Sequence, residues 1–184
     1  MKNVRILLLL VVAAVVAVST GLWADANSLP DRDLASEEAT IEYDSDFDKM
    51  MAVLTHKRCV NCHPSDNYPR QGEDSHIHRF GVQRGDDNHG IAALRCETCH
   101  QHDNNNYSGV PGAPEWSLAP PSMAWQGLSR VEIAQSMLNP ENNGGRNLEE
   151  IVEHLTEHEL VLWAWEPGID ADGNEREKPP VPKD

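Results

Sequence analysis

Two short runs in this chain carry residue types that could do chemistry at a spacing that makes sense of them: Cys59-Val60-Asn61-Cys62-His63 and Cys96-Glu97-Thr98-Cys99-His100. Each is a C-x-x-C-H box, the attachment pattern of a c-type haem. Cysteines three apart on one helical turn can both reach the vinyl groups on one edge of a porphyrin. The histidine that follows then lies under the ring and offers its imidazole nitrogen to the iron as proximal ligand. The boxes use all four cysteines, leaving none for a disulfide. The expected cofactors are two haem c groups, held covalently by Cys59, Cys62, Cys96 and Cys99, with His63 and His100 as proximal ligands.

Two other chemistries use paired cysteines. Four thiolates can close a tetrahedral zinc site, but 33 residues separate Cys62 from Cys96, long for a compact zinc module, and zinc does not explain a histidine after each pair. Redox-active C-x-x-C disulfides sit at strand ends in a βαβ pattern, and that pattern is absent here.

A second axial residue would decide what each iron does: histidine or methionine makes an electron carrier, an open position permits ligand binding or catalysis. Seven histidines remain outside the boxes. His56 lies too close to Cys59 to reach over its own haem but could serve the other. His78 sits in the loop between the boxes. His154 lies beside the apolar stripe of a closing helix, and His158 follows one turn later. Met123, in Ala119-Pro120-Pro121-Ser122-Met123, resembles the Pro-flanked methionine loop of single-haem cytochromes c. The expectation is bis-His ligation of at least one haem, led by His78. For the other, His56 and His154 compete and Met123 is the outside candidate.

The surrounding chain must place these groups. Lys2 and Arg5 precede an apolar run from Ile6 to Val18, and Ala24-Asp25-Ala26 offers a small-x-small cleavage site, so residues 1–26 read as a signal peptide. An uncleaved N-terminal anchor is the alternative. Either route exports the rest, and the periplasm of a Gram-negative cell is the compartment expected for c-type haem attachment. Loss of Lys2, Arg5 and Asp25 takes the formal charge from -15 to -16. That acidity argues against nucleic acid or anionic lipid as a partner and suits a redox protein with a basic docking patch.

Residues 27–46 read as an acidic flexible lead-in. Phe47, Met50, Met51 and Leu54 mark one helical face, with Ser45 or Asp46 as cap. Residues 64–95 and 101–127 are loop-rich, with a short helix expected from Ile91 to Cys96. Ser129-Arg130-Val131-Glu132 is a capping box opening a helix to about Leu138. Asn147 caps another, with Leu148, Ile151, Val152, Leu155 and Leu162 along one stripe, ended by Pro167-Gly168. Residues 168–184 read as a disordered polar tail. The fold expected over 47–167 is mainly α with extensive irregular loops, a small dihaem cytochrome c domain. With two Phe and three Tyr in the whole chain, two flat apolar haems would supply most of its interior.

These segments resemble a family of short exported dihaem proteins often labelled as an isoquinoline 1-oxidoreductase subunit. The resemblance rests on His56 to Pro64, His78 with Val82-Gln83-Arg84-Gly85, Cys96 to Gln101, Val110 to Pro114, Met123-Ala124-Trp125, Asn143-Gly144-Gly145-Arg146, and Leu160 to Gly168 with its Trp163-Ala164-Trp165. It covers most of residues 56–168. It implies that His56, His78, His154 and Met123 occupy family positions, while His76, His89, His102 and His158 are local to this chain. It also implies service to a molybdenum hydroxylase. No molybdopterin or flavin motif is present, so the chain is not that hydroxylase. The function implied is periplasmic transfer of single electrons between a redox enzyme and a respiratory carrier, and not an enzyme's own catalysis. The rivals are a peroxidase or small-molecule reductase with one open iron, and a haem-based sensor.

Overall fold

The structure, a computed structural model, describes residues 43–183. The signal peptide and most of the acidic lead-in lie outside the described residues. Among those described, no helix is long and apolar enough to cross a membrane.

Among the described residues, five α-helices and two small ladders are strung along extended loops. Helix α1 (Asp46–Leu54) begins where expected: Ser45 Oγ accepts the Asp48 amide at 3.2 Å, and Asp46 and Asp48 complement the positive end of the helix dipole. Helix α2 (Lys57–Val60) follows at once, and its turn continues into the first box, with Cys62 N–H donating to Cys59 O and His63 N–H to Val60 O. Strands β1 (Arg70–Gln71) and β2 (His76–Ile77) pair antiparallel, as do β3 (Gly90–Ile91) and β4 (Leu94–Arg95). Helices α3 (Arg130–Leu138) and α4 (Leu148–Glu157) open with reciprocal capping boxes, Ser129 with Glu132 and Asn147 with Glu150. The chain breaks at His158, resumes as α5 (Glu159–Leu162) and tightens into a 3-10 turn over Trp163–Trp165.

Met51, Leu54, Trp125, Ile133, Met137 and Ile151 form one buried cluster, joined by half-buried Met50, Cys59, Val60, Met123 and Leu155. It therefore packs α1, α3 and α4 against the first box. The α4 stripe is narrower than its spacing suggests: Ile151 is buried, but Leu148 and Val152 stay 65% and 52% exposed.

Two expectations are corrected. Instead of a helix from Ile91 to Cys96, the chain makes the β3–β4 hairpin. Gly90 starts it at φ +93°, where a Cβ would run into the Leu94 carbonyl oxygen. Ile91 to Leu94 looked helical only because four apolar residues in a row fit either period. The tail expected to be disordered is laid back over the domain. Trp165 Nε1 donates to Val181 O at 2.9 Å, and the Arg176 guanidinium donates to the carbonyls of Pro167, Ile169 and Gly109. Glu177 reaches Lys57 Nζ at 2.7 Å, and its carbonyl accepts from Arg58 Nε at 2.8 Å. Polar composition concealed a strap held by hydrogen bonds rather than by apolar area.

Candidate metal centres

The first box lines a cavity of about 610 Å³, within the roughly 300–1,000 Å³ usual for cofactor pockets. Its walls include Met50, Val53, Leu54, Leu118, Leu155 and Val161, and Cys59, Cys62, His63 and His154 all face it. The His63 ring is fixed twice. It stacks on Trp125 with centroids 3.6 Å apart and planes 13° from parallel, and its Nδ1 lies 2.6 Å from Met123 O. A carbonyl only accepts, so Nδ1 carries the proton and Nε2 keeps its lone pair. That is the second-shell arrangement of metal-ligating histidines. Burial pushes His63 down to about 4 against the opposing pull of the Met123 carbonyl, with the charges of His154 and Arg84 adding to the fall. Histidine is thus neutral at physiological pH, the form that binds metal. His154 is also pushed down to about 4, by burial first and then by His158 and Arg146.

The second box repeats the device with different residues. Cys96 opens a 3-10 turn (Cys96–Thr98), and both Cys99 and His100 donate their amides to Cys96 O. His100 Nδ1 donates to Pro111 O at 2.8 Å, and the ring stacks on Trp116 at 4.4 Å and 2°. Burial again lowers it to about 4. Gly112 lets the Pro111 loop come this close, because a Cβ there would strike the Asp103 and Gln101 carbonyl oxygens. His78 follows β2. Its Nδ1 donates to Arg79 O at 2.8 Å, and its ring stands edge-on to His100 with centroids 6.0 Å apart. Two metal–imidazole bonds of about 2 Å each would hold ring centroids roughly that far apart. Trp116 also meets Trp163 edge-on at 4.8 Å, and Trp163 lines the first box's cavity, so one aromatic contact joins the two sites.

The thiols do not suit the other chemistries. Burial pushes Cys59 up to about 12 and Cys62 up to about 11, and raises Cys96. A redox-active pair needs a lowered thiol. All four cysteines are free, and among the described residues no three His, Cys, Asp or Glu side chains converge as a closed zinc site requires. Two pairs of free thiols, the first of them lining a wide apolar cavity and each followed by an oriented, neutral imidazole, fit a covalently held iron porphyrin.

The remaining candidates sort as follows. His56 is not brought to either pair: Nδ1 accepts the Arg58 amide as the cap of α2, and Nε2 faces Glu177 Oε1 at 3.1 Å. Both of its ring nitrogens thus face protein partners. Met123 serves through its backbone. The carbonyl that orients His63 lies on the side of the ring away from Nε2, and Met123 Sδ receives the Ser136 hydroxyl at 3.8 Å. His158 lines the same cavity as His154, 4.8 Å away ring to ring and 3.7 Å from Glu115 Oε2. His76 pairs with Asp74, and His89 bonds the Asp87 carbonyl. Sequence reasoning missed Trp125, Trp116 and the two carbonyls. The only signal for them was Pro111 and the Met123-Ala124-Trp125 run, in segments that otherwise read as irregular.

The chain matches no protein-family model, and no curated protein or solved structure aligns with it significantly.

Proposed function

We propose that this chain is a periplasmic dihaem c-type cytochrome, a small α-helical and loop domain wrapped around two covalent haems. It passes single electrons between a redox enzyme and a respiratory carrier. One observation carries the reading: each box ends in a histidine whose Nδ1 is tied to a backbone carbonyl and whose face is stacked on a tryptophan, with a second histidine within reach. In that reading His63 and His154 serve the first iron, and His100 and His78 the second. Iron would supply the one-electron chemistry. The polypeptide fixes ring orientation, and burial holds His63, His100 and His154 neutral. No nucleophile or acid–base pair is needed, so the chain is proposed as a carrier and not an enzyme. Its acidity favours a partner with a basic docking patch, and the resemblance to the isoquinoline 1-oxidoreductase-labelled proteins supports an oxidoreductase at one end of the route.

The test is the exported protein itself. Its intact mass should exceed the polypeptide by two haem groups, and its reduced absorption spectrum should not respond to carbon monoxide. A carbon monoxide complex at one haem favours the open-iron reading of a peroxidase, reductase or sensor. A colourless or zinc-loaded product sinks the proposal.

A further inference from the structure

The Asn143-Gly144-Gly145-Arg146 turn has no part in holding the two histidine pairs, yet it is built with care and ends at the first box's cavity. Asn143 is buried. Its Nδ2 donates to Met137 O at 2.9 Å and to Arg146 O at 3.0 Å, and its Oδ1 accepts the Arg146 amide at 2.8 Å. Gly144 and Gly145 take φ +79° and +83°, which lets the chain double back. The result is a platform that presents one side chain. Arg146 Nη1 is anchored to Asn143 O at 2.7 Å, and among the described residues Nη2 and Nε have no acceptor. Arg146 lines the cavity, and its charge helps depress His154, so it stands near the candidate distal ligand.

Arg146 is exposed at the cavity edge and has no carboxylate partner among the described residues. Six of the twelve described Lys and Arg residues sit within 4 Å of an Asp or Glu oxygen; of the six that do not, Arg84 and Arg176 donate to backbone carbonyls, and only Arg146 and Lys183 line this cavity. The free donors of Arg146 are available to an anionic group on whatever fills the cavity. A haem brings two carboxylates, its propionates, and a guanidinium with two free donors is the group best shaped to hold one. Resting on the dihaem reading, we infer that Arg146 is the propionate clamp of the first haem, and that the buried Asn143 is the residue that positions it. The clamp holds the propionate ionised and places a cation near the iron. A nearby cation disfavours the more positive ferric state and so raises the reduction potential.

The experiment is potentiometry of the dihaem protein carrying Arg146→Gln, with Arg130→Gln, whose partner is Asp48 at the far end of α1, as control. The first haem's potential should fall, the second should hold, and both should stay low-spin. Arg146→Lys, which keeps the charge and loses the fork, should recover part of the shift. Equal potentials in Arg146→Gln and the parent overturn the clamp, while leaving two low-spin haems and therefore the carrier reading intact. Should Arg146→Gln lose haem during maturation, the Lys variant is read by resonance Raman. A propionate vibration moved from the parent's position supports the clamp, and an unmoved one overturns it.

Discussion

Around the first box the chain closes a room; around the second it leaves a ledge. Cys59 and Val60 pack on the main buried cluster, His63 stacks on a tryptophan that is itself buried, and residues of all five helices together with Trp163 wall the cavity. At the second box Cys99 is exposed, His100 leans on a half-buried Trp116, and the neighbours of His78 are open to solvent, Ile77 at 54% and Phe80 at 85%. Phe80 also holds φ +67°, an unfavourable conformation for a bulky side chain. The same local device, carbonyl to Nδ1 and indole under the ring, thus operates in two dielectric settings. A cofactor's iron chemistry is set by its ligands, and its potential by the setting.

The sharpest way to break this comparison is to remove one distal histidine at a time. Because His158 shares the cavity with His154, the clean variant for the first site is His154→Ala with His158→Ala, and for the second it is His78→Ala. Each should turn one haem high-spin and open it to carbon monoxide, leaving the other low-spin. Added imidazole should restore the low-spin spectrum of His78→Ala at lower concentration than that of the double variant, since Ile77 and Phe80 beside His78 are open to solvent. Equal rescue in both would erase the distinction.

The paired tryptophans sharpen it next. Trp125→Ala removes a buried ring and should cost about 3–5 kcal/mol in thermal or denaturant unfolding. Trp116→Ala loses a stack worth about 0.5–1.5 kcal/mol beyond its area and should cost clearly less. A larger loss at Trp116 would show that the second site is the better packed.

The two potentials should also separate. Burial disfavours the charge of ferric haem, so potentiometric titration should resolve two steps, with the first box's haem reduced first. The smallest effect belongs to the strap. Glu177 is largely exposed, so Glu177→Gln should shift the unfolding midpoint by less than about 1 kcal/mol and leave both haem spectra unchanged.

How far these features could be read in advance depends on how local they are. Ser45, Ser129 with Glu132, and Asn147 with Glu150 announce their helices because a cap is satisfied within four residues. The boxes announce themselves for the same reason. The surroundings of His56 were beyond local reading, since its Nε2 faces Glu177, which lies 121 residues away. The Met123 carbonyl and Trp125 lie about 60 residues from the histidine they hold, inside a Pro-rich stretch with no periodicity to betray them. The tail's low hydrophobicity carries no sign of its order, because that order comes from Arg176 tying three carbonyls together.

The electron-spin resonance spectrum of the fully oxidised protein tests the central claim most directly. Two histidine-ligated irons predict two low-spin ferric signals of equal weight and none that is high-spin. A high-spin signal of half the total iron, or no iron signal at all, would contradict it.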